Sequence, residues 1–162
     1  MFIYSVRAST VKFFGFIALT LALLVGAVAA FDSGSVYAST DADGVSYEGM
    51  NTDEARLEFI RRFGIEVDES SLESEMFTMP DNFDRVILGY NELQKRQGLD
   101  LSKYAKKRVT RYTYRVTNYN ADGEVYANLF VYRSRIVACD ISSADPEGFV
   151  IPLTEVEGSM LK

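Results

Sequence analysis

The sequence predicts an α+β domain behind an apolar N-terminal segment. Three patterns support this prediction: a long apolar run over residues 13–31, two later stretches with apolar residues at helical spacing, and a stretch over residues 110–118 in which apolar and polar residues alternate. The expected fold is an N-terminal transmembrane helix or signal, then two helices packed on an antiparallel three- to four-stranded meander. The chain divides into a signal anchor or signal peptide (1–31), a flexible linker (32–50), an α+β domain of unknown function (51–153) and a C-terminal tail (154–162).

The apolar run predicts export. As a helix it would span roughly 28 Å at about 1.5 Å per residue, close to the ~30 Å hydrocarbon thickness of a bilayer. Its basic residues, Arg7 and Lys12, lie on its N-terminal side, so everything from about Asp32 onward should face the outside. The run is longer than the core of a secretory signal, which favours a single-pass anchor in the cell membrane. Ala27-Val28-Ala29 is an acceptable cleavage site, and secretion after signal cleavage is therefore the alternative.

The first predicted helix of the exported part covers about residues 52–63. Asn51 is a suitable N-cap residue, the apolar side chains that follow fall on one stripe, and Gly64 supplies the stop. The next segment, residues 65–78, is acidic and carries a few apolar residues, which indicates an edge strand.

A second amphipathic helix is predicted from Asp81 or Asn82 to Gln97. Its apolar residues recur at three- and four-residue spacing, and Gly98 ends it. We expect this helix to pack across a sheet.

The alternating stretch is the clearest strand of that sheet. It is followed by Asp122-Gly123, a favoured two-residue hairpin turn. If the turn is of type I′, the register pairs Val116 with Leu129 and Tyr114 with Val131, so that one face is apolar on both strands.

A third strand is predicted over residues 136–141, with Val137, Cys139 and Ile141 on one side. Residues 149–153 suggest a last short strand. The expected result is an antiparallel meander with both helices on one face.

The other face of the predicted hairpin combines basic and aromatic side chains, since its register places Arg115 opposite Phe130. Such a face suits an anionic or ring-shaped partner through guanidinium pairing and ring stacking. The alternative is structural: the rings are covered by the first helix and the arginines pair with the acidic segment. The candidate binding residues are Arg111, Arg115, Tyr126, Phe130 and Tyr132.

Charge is divided along the chain. Residues 41–84 contain 13 acidic and 3 basic side chains, whereas residues 85–115 contain 9 basic and 2 acidic ones. The two halves can neutralise each other in the fold. A basic run within the second half would alternatively hold the domain near anionic lipid headgroups or an anionic wall polymer. This run comprises Lys103, Lys106, Lys107 and Arg108.

Composition excludes several classes of function. The sequence has no His, the usual general base and the commonest zinc ligand, so hydrolases of the triad type are excluded and no metal or cofactor site is indicated. Cys139 is the single cysteine, which rules out an intramolecular disulfide; we interpret it as a small buried residue rather than a nucleophile. The exported part carries 15 basic and 23 acidic residues, and this net charge of −8 argues against a nucleic-acid partner.

Three segments carry a resemblance to a known family. These are the segment Tyr90-Asn91-Glu92-Leu93-Gln94, the segment from Gln97-Gly98-Leu99-Asp100 to Tyr104, and the segment Arg111-Tyr112-Thr113-Tyr114. Together they resemble the bacterial exported family known as domain of unknown function 4830, from about Asn51 to Ile141. Members tend to have Gly-Gly-Asp where this chain has Ala138-Cys139-Asp140. The resemblance implies a bacterial cell-surface setting in a Gram-positive organism, and it brings no catalytic residues with it.

The leading hypothesis is a non-enzymatic module tethered outside the cytoplasmic membrane that binds a protein or another partner of the cell envelope. The first alternative is a secreted or surface domain that inhibits a peptidase, suggested by the packing of a helix on a short antiparallel sheet. The second is a carboxylate-based hydrolase of wall polysaccharide, which needs two carboxylates facing each other across a groove.

Overall fold

The computed structural model describes residues 45–145 and 147–162. The predicted N-terminal anchor or signal and most of the linker lie outside the described residues. Among the helices that are described, none has both the length and the apolar character that crossing a bilayer requires.

The domain is α+β, with two helices and a five-stranded antiparallel meander. The strands follow the order β1-β2-β3-β4-β5, one strand more than the three to four expected. The helices are α1 (Asp53–Arg61) and α2 (Arg85–Lys95). The strands are β1 (Val67–Thr78), β2 (Arg108–Val116), β3 (Val125–Tyr132), β4 (Arg135–Ser143) and β5 (Val150–Pro152), and short 3₁₀ turns occupy Leu101–Tyr104, Leu153–Glu155 and Gly158–Met160.

The two helices pack on opposite faces of the sheet, so the expectation of both on one face was wrong. Phe59 of α1 packs in a core with Tyr114 on what we call the first face. Tyr90 of α2 packs in a separate core with Phe130 and Val137 on the second face. Both faces carry large apolar side chains, and each needs a cover to exclude water.

Both helices begin at a capping residue other than the one expected. The side chain of Thr52, not Asn51, accepts a 3.2 Å hydrogen bond from a backbone N–H of the first turn of α1. In α2 the Asp84 side chain does the same at 2.9 Å, so this helix begins later than the predicted Asp81 or Asn82. In each case the cap reaches the N–H three residues on, as a good N-cap does.

The predicted register of the first hairpin was wrong by four residues. Val116 pairs with Val125 and Tyr114 with Ala127, instead of Leu129 and Val131. The reason lies in the eight-residue connection 117–124, whose first residues bond elsewhere and leave the hairpin. Because four is an even number, every side chain keeps its predicted face.

A β-bulge in β4 corrects a second prediction. Phe130 pairs with Ala138 and Val131 pairs with Ile136, which leaves Val137 as an extra residue. Val137 therefore lies in the second-face core, whereas Cys139 and Ile141 lie in the first-face core. The sequence had placed all three on one side.

Both ends of the described chain are packed against the sheet. Residues 45–50, assigned to the linker from sequence, pair with the start of β4, and Tyr47 and Met50 are buried. At the other end, in the predicted C-terminal tail, Leu161 forms a bridge with Tyr119 and packs on the first-face core. The folded unit is thus longer at both ends than the predicted 51–153.

Candidate binding face of the sheet

The second face contains all five candidate residues, but the structure does not bring them together. It is built from alternate side chains of the three central strands, so the face itself was predicted correctly. The register gives new neighbours: Arg111 lies opposite Phe130, and Arg115 lies opposite Tyr126.

At the centre of this face lies a buried carboxylate. Asp140 is 3% exposed and accepts a 2.5 Å hydrogen bond from the Tyr90 hydroxyl at one oxygen. Its other oxygen accepts a 2.8 Å hydrogen bond from Nδ2 of Asn128. Asn128 Nδ2 also lies 2.9 Å from the Ser142 hydroxyl, and its Oδ1 accepts from Thr113 at 3.0 Å. We call these five residues the polar network.

The surroundings of Asp140 shift the pKa of its carboxyl group. Burial raises the pKa of Asp140 to about 6, and the hydrogen bonds from Tyr90 and Asn128 and the charge of Arg111 oppose that rise. Burial also raises the pKa of the Tyr90 hydroxyl, so this group remains a donor at neutral pH. A buried carboxyl with a shifted pKa is a feature shared by active sites and structural networks. Both oxygens of Asp140 are already engaged by protein groups, which favours a structural role.

Arg111 and Phe130 are inside the fold. The Arg111 guanidinium lies 2.9 Å from Glu75 of β1, and its side chain is 15% exposed. Phe130 packs between the rings of Tyr90 and Phe77, with ring centroids 5.9 and 6.0 Å away. These two residues therefore follow the alternative interpretation, in which the rings are covered and the arginines pair with the acidic segment. The cover over Phe130 comes from α2 and β1, however, and not from the first helix.

Arg115 and Tyr126 lie at an end of the face that α2 leaves open. The Arg115 side chain is 47% exposed and lies 2.5 Å from Asp68 and 3.8 Å from Glu124. The half-buried Tyr126 donates a 2.6 Å hydrogen bond to Glu124. We call the residues Thr113, Arg115, Tyr126 and Ser142 the open end.

Tyr132 lies six residues from Tyr126 on the same strand, which is about 20 Å at 3.3 Å per residue. Its ring packs edge-on against Tyr104 with a centroid distance of 5.6 Å. A single small ligand cannot contact both ends of this strand.

Two buried glutamines, Gln94 in α2 and Gln97 just after its end, form hydrogen bonds with the backbone of β4. Gln94 accepts a 2.9 Å hydrogen bond from the N–H of Cys139, and Gln97 donates a 2.6 Å hydrogen bond to its carbonyl. The ladder between β4 and β5 begins at the next residue, Asp140. The glutamine pair therefore replaces a neighbouring strand where β5 is too short to reach.

No cluster of three or more metal-ligating side chains occurs in the part of the chain that the structure describes. Cys139 is fully buried, and burial raises the pKa of its thiol, which disfavours the reactive thiolate.

A family model described as Domain of unknown function (DUF4830) matches residues 59–141, just over half of the chain. The chain belongs to the DUF4830 family. No curated protein and no solved structure matches it.

The residues that resemble the family are structural parts of this DUF4830 domain. Tyr90 and Gln94 bond to Asp140 and Cys139, as described above. Asn91 accepts a 2.7 Å hydrogen bond from the Leu101 N–H and donates one of 3.1 Å to Asp100. These contacts join α2 to β4 and to the turn that leads into β2.

Sequence reasoning missed the polar network of the DUF4830 domain. Asp140 and Asn128 occupy polar positions of alternating strands, which by pattern alone are solvent-facing. One signal was available. Tyr90, Gln94 and Gln97 continue the apolar stripe of the second predicted helix at helical spacing, and polar groups on a buried stripe need buried partners.

Proposed function

We propose that this DUF4830 chain is a non-enzymatic binding module tethered to the outer side of the cytoplasmic membrane. The apolar run over residues 13–31, with Arg7 and Lys12 before it and acidic residues after it, supports the tether. The absence of His from the sequence supports a role in binding rather than catalysis.

The open end is the proposed binding surface, and one observation carries this assignment. Along β3 the second-face side chains pass from Phe130, 4% exposed, through Asn128, 7% exposed, to the half-buried Tyr126. The cover provided by α2 thus does not extend to Tyr126, at the start of β3. Polar and aromatic groups of three strands are left accessible there.

The chemistry of the open end suits a protein partner. Tyr126 offers a ring and a hydroxyl, and Arg115 offers a guanidinium with carboxylates on both sides. Tyrosine and arginine are the residue types that most often dominate protein interfaces. The hydroxyls of Thr113 and Ser142 add hydrogen-bonding groups at the margin of this surface. We therefore propose a protein of the cell envelope as the partner.

Site-specific photo-crosslinking in the producing cells tests this proposal. A photoreactive residue replaces Tyr126, and in a matched control it replaces Leu88, an exposed residue of α2. We expect a discrete adduct from position 126 only, and Arg115→Glu in the same chain should abolish it. No adduct, or equal adducts from both positions, would refute the open end as the binding surface.

A further inference from the structure

A group of exposed cations lies at the end of the sheet opposite the open end. Lys103, Lys107, Arg108 and Arg133 are exposed, and none of them forms an ion pair with any residue in 45–145 or 147–162. Lys106 lies 2.7 Å from Asp81 but is itself 70% exposed. We call these five residues the basic rim.

The fold assembles the rim from two separate segments. Edge-on packing of Tyr104 against Tyr132 places the segment after Leu101 beside the β3–β4 turn. The backbone of Met79 then fixes the loop, since it donates to the carbonyl of Lys107 and accepts from the N–H of Lys106, both at 2.9 Å. Arg108 begins β2, so the loop cations continue onto the sheet.

Two members of the rim have a backbone conformation that L-residues disfavour. Lys106 has φ 61° and Arg133 has φ 57°, and these are the two non-glycine residues with positive φ in the described chain. Glycine would adopt both conformations without the steric conflict of a Cβ atom. Both positions instead carry cations, and the Arg133 guanidinium lies 5.3 Å from the centroid of the Tyr132 ring. Backbone strain that is retained at a charged surface position points to a use for that charge.

The chain enters the domain at this same end. The N–H of Met50 bonds to the carbonyl of Ser134 at 2.9 Å, and Glu48 bridges to Arg135. The apolar run ends at Phe31, and residues 32–44 span at most about 45 Å when fully extended. A tethered domain therefore has the rim within reach of the bilayer.

We infer that the basic rim docks on anionic lipid headgroups of the membrane to which the chain is tethered. This inference rests on the proposed tether and adds an orientation to it. Each exposed Lys or Arg near an anionic bilayer is attracted to it, and the attraction weakens as salt is added. The exported part as a whole is net acidic, so repulsion directs its other surfaces away from the lipid. The open end then faces outward, toward the envelope.

Lysine footprinting of the full chain tests the docking. The protein is reconstituted in nanodiscs of phosphatidylcholine, with or without phosphatidylglycerol, and the acetylation rate of each lysine is measured by mass spectrometry. We expect Lys103, Lys106 and Lys107 to react several-fold more slowly in the anionic discs at low salt, with the protection lost at high salt. Lys162 provides an internal control, because its N–H bonds to Asn118, beyond the far end of β2.

A variant pair separates lipid contact from a change in the fold. Lys107→Gln with Arg133→Gln should remove the protection of Lys103, whereas Arg62→Gln with Lys95→Gln, exposed cations outside the rim, should keep it. Equal acetylation rates in the two discs, with the chain retained in both, overturn the docking and leave the tether intact. A chain that leaves both discs overturns the tether and the docking together. Equal protection in phosphatidylcholine discs by soluble poly(glycerol phosphate) overturns lipid docking in favour of an anionic polymer.

Discussion

The hydroxyl of Tyr90 donates a hydrogen bond to Asp140 across 50 residues of sequence, from the middle of α2 to β4. Both residues are buried, and both lie within residues 59–141, the part of the chain that the family model matches. This contact fixes α2 over the second face and thereby determines where the cover of that face ends.

Replacing Tyr90 with Phe removes this donor while keeping the ring. We expect the free energy of unfolding at pH 8 to fall by about 1.5–3 kcal/mol, because a hydrogen bond to a buried charged group is lost. Urea denaturation measures the effect. Tyr126→Phe is the matched control: its hydroxyl also donates to a carboxylate, but at the exposed Glu124, so a change below about 0.5 kcal/mol is expected. Similar losses in both variants would contradict a special role for the buried pair.

The buried carboxyl group gives stability a specific pH dependence. The pKa of Asp140 is about 6 in the folded protein, above the ordinary carboxyl value of the unfolded chain. Between these two values the folded state holds a proton that the unfolded state has released. The contribution of Asp140 to the free energy of unfolding is therefore largest below pH ~4 and is lost as the pH rises toward ~6.

Asp140→Asn isolates this effect, because the contributions of the other carboxylates cancel in the difference between the two proteins. We expect the free energy of unfolding of the wild type minus that of the variant to decrease by about 2 kcal/mol from pH ~4 to pH ~7. Urea denaturation over a series of pH values measures it. A difference that is constant or increases with pH would show that Asp140 does not titrate in this way.

Gln97→Met tests whether the glutamine pair stabilises the backbone of β4 in place of a neighbouring strand. Methionine has a similar length but no donor, so the buried carbonyl of Cys139 loses its partner. We expect a loss of about 2–3 kcal/mol in the free energy of unfolding, measured by chemical denaturation. Glu92→Met introduces the same side chain at an exposed position of α2 and should change stability by less than about 0.5 kcal/mol. If the Gln97 variant is as stable as the wild type, the glutamine pair has no structural importance.

Arg133→Gly should stabilise the fold. The substitution relieves the positive φ at this turn, and we expect the free energy of unfolding to rise by about 0.5–1 kcal/mol. Arg135→Gly, two residues on and inside β4, should lower it instead, since glycine weakens a strand. Thermal unfolding compares the two variants, and a destabilised Arg133→Gly would contradict the idea that the cation is kept there against a backbone cost.

The sequence allowed the faces of the sheet to be predicted but not its pairing. Asp122-Gly123 is a strong local turn signal, yet Asn118 bonds through its side chain to the Gly64 carbonyl and the Glu66 N–H. These partners lie more than fifty residues away along the chain, so no local pattern reports them. The alternation of apolar and polar residues has a period of two, and it therefore survived a register error of four.

The sequence allowed the residues of the candidate face to be predicted, but not which of them are exposed. Arg111 and Arg115 lie four residues apart on β2 and share one face of the sheet. No sequence pattern distinguishes which of them is buried and which is exposed. One is covered because Glu75 and the second-face core surround it, and the other is open because α2 ends short of it. The position of α2 follows from the buried contacts of Tyr90 and Gln94, which form only in the folded chain.

The unequal edges of the sheet limit how this domain can assemble through strand pairing. At one edge, residues 45–50, the glutamine pair and β5 cover successive parts of β4, and β5 has only three residues, including Pro152, which lacks an N–H. At the other edge β1 is twelve residues long and has no strand beside it among the described residues. Short edges and proline block further pairing, whereas a long edge permits it. Two copies joined through β1 would have no second long edge to offer, so such growth ends at a pair and does not lead to a fibre.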